Sequence, residues 1–126
     1  MVLVPDQMNR LQNVFAHLRT IILPYAAHLD RPEDSDLRIS LDTRHTQKNG
    51  KPLWFGGVEV KKNYVSYHLM PVYVNPELLD GVSPELRKRM QGKSCFNFAR
   101  EDEPLFGELA RLTEAAFRDY ESKGFV

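Results

Sequence analysis

His68, Cys95 and Lys93 are the side chains of this 126-residue chain whose types could carry proton transfer, nucleophilic attack or anion capture. Cys95 is the only cysteine, which excludes an internal disulfide framework and an all-thiolate zinc or iron–sulfur centre. A nucleophilic cysteine needs a base or a nearby cation to hold it as thiolate. Lys93 stands two residues away, and no spacing marks a histidine partner. A lone cysteine in an alternating strand more often serves as a small packing residue. The four histidines, His17, His28, His45 and His68, include no pair at the i, i+4 spacing of a helical metal site. His17 falls on the polar side of the first helix and reads as solvated. His68 shares a strand face with Tyr64, Ser66 and Met70, a set suited to a groove, an interface or a wet sheet surface.

Gly92-Lys93-Ser94 matches the end of a phosphate-cradling P-loop, but two features break the motif. Arg87 stands where its first glycine belongs, and Cys95 to Phe98 reads as strand where the loop needs a helix. No G-x-G-x-x-G run supports a dinucleotide site.

These residues must be positioned by a domain of ordinary size, with 42% hydrophobic and 27% charged residues, the balance of a packed globular core. Lys and Arg together number 17, as do Asp and Glu, so the basic excess of a phosphate-backbone binder is missing and nucleic acid is not an expected partner. The charge is nevertheless segregated. Residues 44–100 hold ten basic and four acidic side chains, and no acid lies between Leu86 and Ala99, where Arg87, Lys88, Arg89 and Lys93 cluster just before Arg100. That run suits an anion site, a weak nucleic-acid contact or a solvated helix face. Acids gather at Asp30, Glu33, Asp34 and Asp36 and again at Glu101, Asp102 and Glu103. They could hold a hard cation loosely through oxygen, although they lack the ligand periodicity of a calcium loop.

The spacing predicts a helix through Met8, Leu11, Phe15, Leu18 and Ile22, capped by Asp6 and stopped by Pro24. Tyr25 to Asp36 reads as an exposed loop. Leu37, Ile39 and Leu41 alternate with polar residues as a half-buried strand, and Asn49-Gly50 signals a tight turn. In the strand from Lys51 to Lys61, Leu53 and Phe55 are odd while Val58 and Val60 are even. An extra residue must intervene to bury all four, and Gly56-Gly57 is the expected bulge. A third strand runs from Tyr64 to Tyr73, with Val65, Tyr67 and Leu69 inward. A short helix opens at Ser83-Pro84-Glu85 and runs to Gln91, and Lys93 to Ala99 forms a fourth strand with Phe96 and Phe98 in the core. The last helix opens acidic at Glu101 to Glu103 and carries Leu105, Leu109, Leu112, Ala116 and Tyr120 inward before Gly124 closes it. Hairpin-linked strands imply an antiparallel sheet. The expected fold is a single-domain two-layer α+β sandwich of about four or five strands, with the N- and C-terminal helices on one face.

No segment has the apolar length of a membrane span, and Met1 to Asp6 lacks the basic and apolar regions of a secretory signal. With the free thiol, these features suggest the cytoplasm.

The run from Phe55 to Leu69, with its lysines and His68, and the pattern Gly92-Lys93-Ser94-Cys95-Phe96-Asn97-Phe98 before a last helix resemble the YdhG-like family of unknown function. The likeness spans roughly residues 50 to 120. The chain departs from it between Asp30 and Gly50, where the family's Tyr-Gly-x-Pro stretch is not evident. The resemblance implies a small antiparallel sheet backed by helices and brings no catalytic motif. Some members of that family carry the description of frataxin-like iron chaperones. On that analogy alone iron is a candidate cofactor, and Glu33, Asp34, Asp36, Glu101, Asp102 and Glu103 are its candidate ligands.

Three functions follow, in order of preference. The first is a binding module, for a small molecule, a protein or a second copy of the chain, that uses the uncovered sheet face around Trp54, His68, Tyr73, Lys93 and Cys95. The second is iron handling through the surface carboxylates. The third is an enzyme working through His68 or Cys95.

Overall fold

α1 (Pro5–Ile22) buries Leu11, Val14, Phe15, Leu18 and Ile22 along one stripe at three- and four-residue steps. The computed structural model describes residues 5–126 of the chain; Met1 to Val4, part of the stretch read for a leader, lie outside the described residues. Five strands follow: β1 (Asp30–Asp34), β2 (Arg38–Thr46), β3 (Pro52–Val60), β4 (Val65–Leu69) and β5 (Cys95–Phe98). They form one antiparallel meander in the order β1-β2-β3-β4-β5. Two short helices, α2 (Met70–Val74) and α3 (Pro84–Arg87), interrupt the meander before β5, and α4 (Glu103–Ser122) ends the fold.

Both long helices cover the same side of the sheet. α1 packs on β3 and β4 and against α4. From α4, Phe106 meets Phe98 edge-on at 4.9 Å, and Phe117 and Tyr120 close on Phe55. Tyr67 donates its hydroxyl to Thr113 Oγ1 at 2.7 Å, because the Thr113 proton is already given to the Leu109 carbonyl. Asp102 caps α4 by accepting from the Leu105 amide at 3.2 Å. Asp102→Ala is therefore expected to cost about 1 kcal/mol, read as a lowered urea midpoint with an unchanged slope.

The expected extra residue is present one position earlier than Gly56-Gly57. Leu41 faces Gly56 while Asp42 faces Trp54, so Phe55 is the unpaired residue. With Phe55 as the extra residue, Leu53, Phe55 and Val58 all reach the core, and Val60 packs half-buried against it. A side chain at Gly56 would stand 2.3 Å from the His68 carbonyl oxygen, and one at Gly57 would stand 2.4 Å from that of Ile39. Neighbouring strands approach too closely there for a Cβ.

Several local expectations are corrected. The stretch Tyr25 to Asp36 is not a plain loop: a 3-10 turn (Leu23–His28) leads into β1, whose residues are all exposed. β1 pairs with β2 as an edge strand and carries ion pairs, Arg19–Asp34 at 2.8 Å, Arg38–Glu33 at 3.0 Å and Arg44–Asp30 at 3.2 Å. Pro32 sits at its irregular register, a position where a missing N–H is tolerated. Leu37 lies in the turn before β2 and is 55% exposed. Met8 is largely exposed too, and Asp6 lies within the first turn of α1 rather than ahead of it. The third strand stops at Leu69, because α2 begins at Met70 with Pro71 in its first turn, and Met70 therefore leaves the sheet face. α3 is helical only to Arg87. The next residues turn back so that Arg89 to Gln91 pair with β5 and cover its outer edge. No described helix is long and apolar enough to cross a membrane.

Candidate functional site

The open side of the sheet carries His68 and Cys95 directly opposite each other on β4 and β5. Strand alternation turns Val65, Tyr67 and Leu69 into the core and leaves His68 and Ser66 on the other face. Trp54 joins them from β3: it donates Nε1–H to Ser40 Oγ at 2.9 Å, lies over Gly57, and stands 5.4 Å from the His68 ring. Cys95 Sγ is 3.8 Å from His68 Nε2 and 3.2 Å from Asn97 Oδ1. Asn97 Oδ1 also accepts from Ser66 Oγ at 2.8 Å, and its amide donates to Gln91 Oε1. Ser66 is closed off by this network and is 2% exposed, so of the set Tyr64, Ser66, His68 and Met70 only Tyr64 and His68 remain half-exposed on or beside that face.

Burial, reinforced by the Lys61 charge, lowers the His68 pKa, and burial raises the Cys95 thiol above its ordinary value. Both shifts favour the neutral forms. Nucleophilic catalysis needs the opposite, a thiolate favoured by a neighbouring imidazolium. The network reads instead as a hydrogen-bonded clamp between β4 and β5.

A pH effect follows from His68. Its folded pKa lies below its unfolded value near 6.5, so the unfolded chain takes up the proton first. The His68 contribution is full above that pH and is lost as pH falls through it. His68→Gln should accordingly flatten the fall of urea-unfolding stability between roughly pH 7 and 5.

Tyr73 and Lys93 form a second group, away from this clamp, in a cleft of about 550 Å³. Its floor is apolar: Val72, Leu79 and Met90. Tyr73, Pro76, Arg87, Gly92 and Lys93 complete the lining, which contains no carboxylate. Two arms of chain make the walls, and each is fastened to α4. On the first arm, Asn75 Oδ1 caps the 3-10 turn Pro76–Leu79 by accepting from the Glu77 amide, while its Nδ2 donates to Asp119 at 3.0 Å. On the second, Glu108 receives the Ser83 amide at 2.7 Å and the Ser83 hydroxyl at 2.6 Å, and Ser83 Oγ caps α3 through the Leu86 amide. Arg87 ties the arms together by donating Nη2–H to the Leu79 carbonyl at 2.6 Å. The β4–β5 ladder continues to the Leu69 amide and the Ser94 carbonyl, which sets Lys93 beside α2. There its ammonium lies 5.7 Å from the Tyr73 ring centroid.

The five expected ligand-binding residues therefore divide: Trp54, His68 and Cys95 on the sheet, Tyr73 and Lys93 in the cleft. Arg87 was visible only as one member of a basic run. Asn75, Ser83 and Glu108 had helix-cap or helix-face signals but nothing in the sequence to show that they pin the cleft walls.

Four of the six acidic candidates are engaged with protein partners. The Arg19 guanidinium, bonded to Asp34 from two nitrogens, holds that carboxyl below the usual carboxylate range, and Arg31 adds a further bond. Glu33 pairs with Arg38, and Asp102 caps α4. Glu101 reaches His17 at 3.2 Å; that imidazole also stands edge-on to Phe106, so His17 is half-buried between the two long helices rather than simply solvated. Asp36 and Glu103 are exposed. Among the described residues no three His, Cys, Asp or Glu side chains converge as a metal site.

No family model, curated protein or solved structure matches the chain. Its functional reading stands on the geometry of these two groups.

Proposed function

We propose that the protein is a small-molecule binding module whose site is the cleft between the α2 arm and the α3–β5 arm. The carrying observation is the concavity itself: about 550 Å³ of space with an apolar floor and two polar heads at its rim. Sites for small ligands have this size and make-up, mostly apolar walls with a few placed polar groups. Tyr73 supports the assignment, since the residue is 52% exposed and lines the cleft beside that floor. The hydrogen bonds from Asn75, Ser83 and Arg87 keep both walls in place before any ligand arrives, which lowers the ordering cost of binding. The Trp54–His68–Cys95 clamp contributes indirectly, by holding the start of β5 from which Lys93 projects.

Titration of the ¹⁵N-labelled protein with 2-naphthol, a neutral flat probe, tests the location. Amide shifts are expected at Tyr73, Leu79, Gly92 and Lys93. Shifts centred on Trp54, His68 and Cys95, or spread evenly over the molecule, would overturn it.

A further inference from the structure

We infer that the ligand of this cleft is an organic anion, with a flat apolar body seated on Tyr73 and a carboxylate or phosphate head held by Lys93 and Arg87. The inference rests on the cleft being the binding site and adds the chemical class of its occupant.

Charge is the first argument. Lys93 and Arg87 line the cleft and no acidic residue does; Glu77 and Asp80 belong to the adjoining turn but not to the lining. Along the chain Lys88 and Arg89 add further positive charge beside Arg87, and Glu85, two residues before it, does not line the cleft. A neutral or cationic head placed here would leave two cations unanswered, whereas an anion answers both. The contrast with the recess along α1 is direct. That recess, about 620 Å³ and lined by Phe15, Arg19 and Asp34, has its cation already paired with a carboxylate at 2.8 Å.

Geometry is the second argument. Arg87 spends one N–H on the Leu79 carbonyl at 2.6 Å, which fixes the guanidinium at the cleft wall and leaves further donors free. Lys93 rests against the Tyr73 ring at 5.7 Å, a cation–π contact at an exposed position. An anionic head offers that ammonium a stronger partner, a charge-assisted hydrogen bond. The ring it then uncovers, with the Pro76 ring and the Met90 thioether nearby, is a surface for a flat apolar group.

Four probes that share one body test this: 2-naphthoate, 2-naphthyl phosphate, neutral 2-naphthamide and cationic 2-naphthamidine, each followed by calorimetry and by amide shifts. The expected result is that the two anions bind about tenfold or more tighter than the amide, with the amidine weakest. Lys93→Gln, an exposed substitution, should shrink the anion advantage to about twofold while thermal stability stays unchanged. The tighter of the two anions names the head group. Equal affinity for anion and amide, with shifts still at Tyr73, Gly92 and Lys93, would overturn the anionic class and leave the cleft as the site. Absence of shifts at those amides with every probe would overturn the site reading itself.

Discussion

Phe55→Ala is expected to lower the unfolding free energy by about 3–5 kcal/mol, the largest single effect at any side chain of the core. Phe55 is fully buried and meets three aromatic rings, Tyr25 at 5.9 Å, Phe117 at 5.8 Å and Tyr120 at 6.0 Å. Truncation removes the transfer free energy of the ring and opens a cavity at the point where the 3-10 turn after α1, the strand β3 and α4 converge. A domain of this size has about 5–15 kcal/mol in total, so the variant should melt at a much lower urea concentration and sit near the edge of folding. Phe55→Leu, which keeps most of the volume, should lose less than half as much. A loss below about 1 kcal/mol for Phe55→Ala would mean that the bulge does not aim this ring into the core.

The adjacent position should be as intolerant for a different reason. Gly56→Ala places a Cβ 2.3 Å from the His68 carbonyl oxygen, a backbone atom that can retreat only by opening the β3–β4 pairing. The same Cβ would meet Ile22 Cδ1 at 3.3 Å, so α1 cannot give way freely either. A cost of about 3 kcal/mol or more, or failure to fold, is expected. Gly107→Ala is the matched control. Gly107 lies inside α4, and its added Cβ meets only the far end of Arg111 at 3.8 Å, so the variant should gain up to about 1 kcal/mol from helix propensity. If both variants melt together, crowding at Gly56 is not what constrains the sheet. Urea unfolding followed by circular dichroism reads both.

His68 and Cys95 show how much of the site was legible. Alternation alone put each on the outward face of its strand, because Val65, Tyr67 and Leu69 on one strand and Phe96 and Phe98 on the other demand the inward one. That the two strands pair at His68–Cys95, across 27 residues, depends on register, which the local sequence does not carry. Nor could composition reveal that burial would lower the His68 pKa and raise that of the Cys95 thiol.

By itself the sequence determined the two long helices, the strands β2 to β5, the inward faces of β4 and β5 and even the presence of an extra residue in β3, because hydrophobic periodicity is a local property and burial rewards only one periodicity at each segment. Tertiary structure alone decided three things. β1 pairs with β2 although its own acidic, proline-bearing residues do not favour extension, and Arg19, Arg38 and Arg44 from other elements stand against its acids. Met70 leaves the sheet because it begins a helix, with Pro71 in its first turn, that must pack toward α4. The cleft exists because two consecutive arms of the chain are each pinned to distant residues of α4, Asp119 and Glu108, with a gap left between them. Each of these turns on pairing between distant residues, and free energies of that kind belong to the folded arrangement rather than to any stretch of chain.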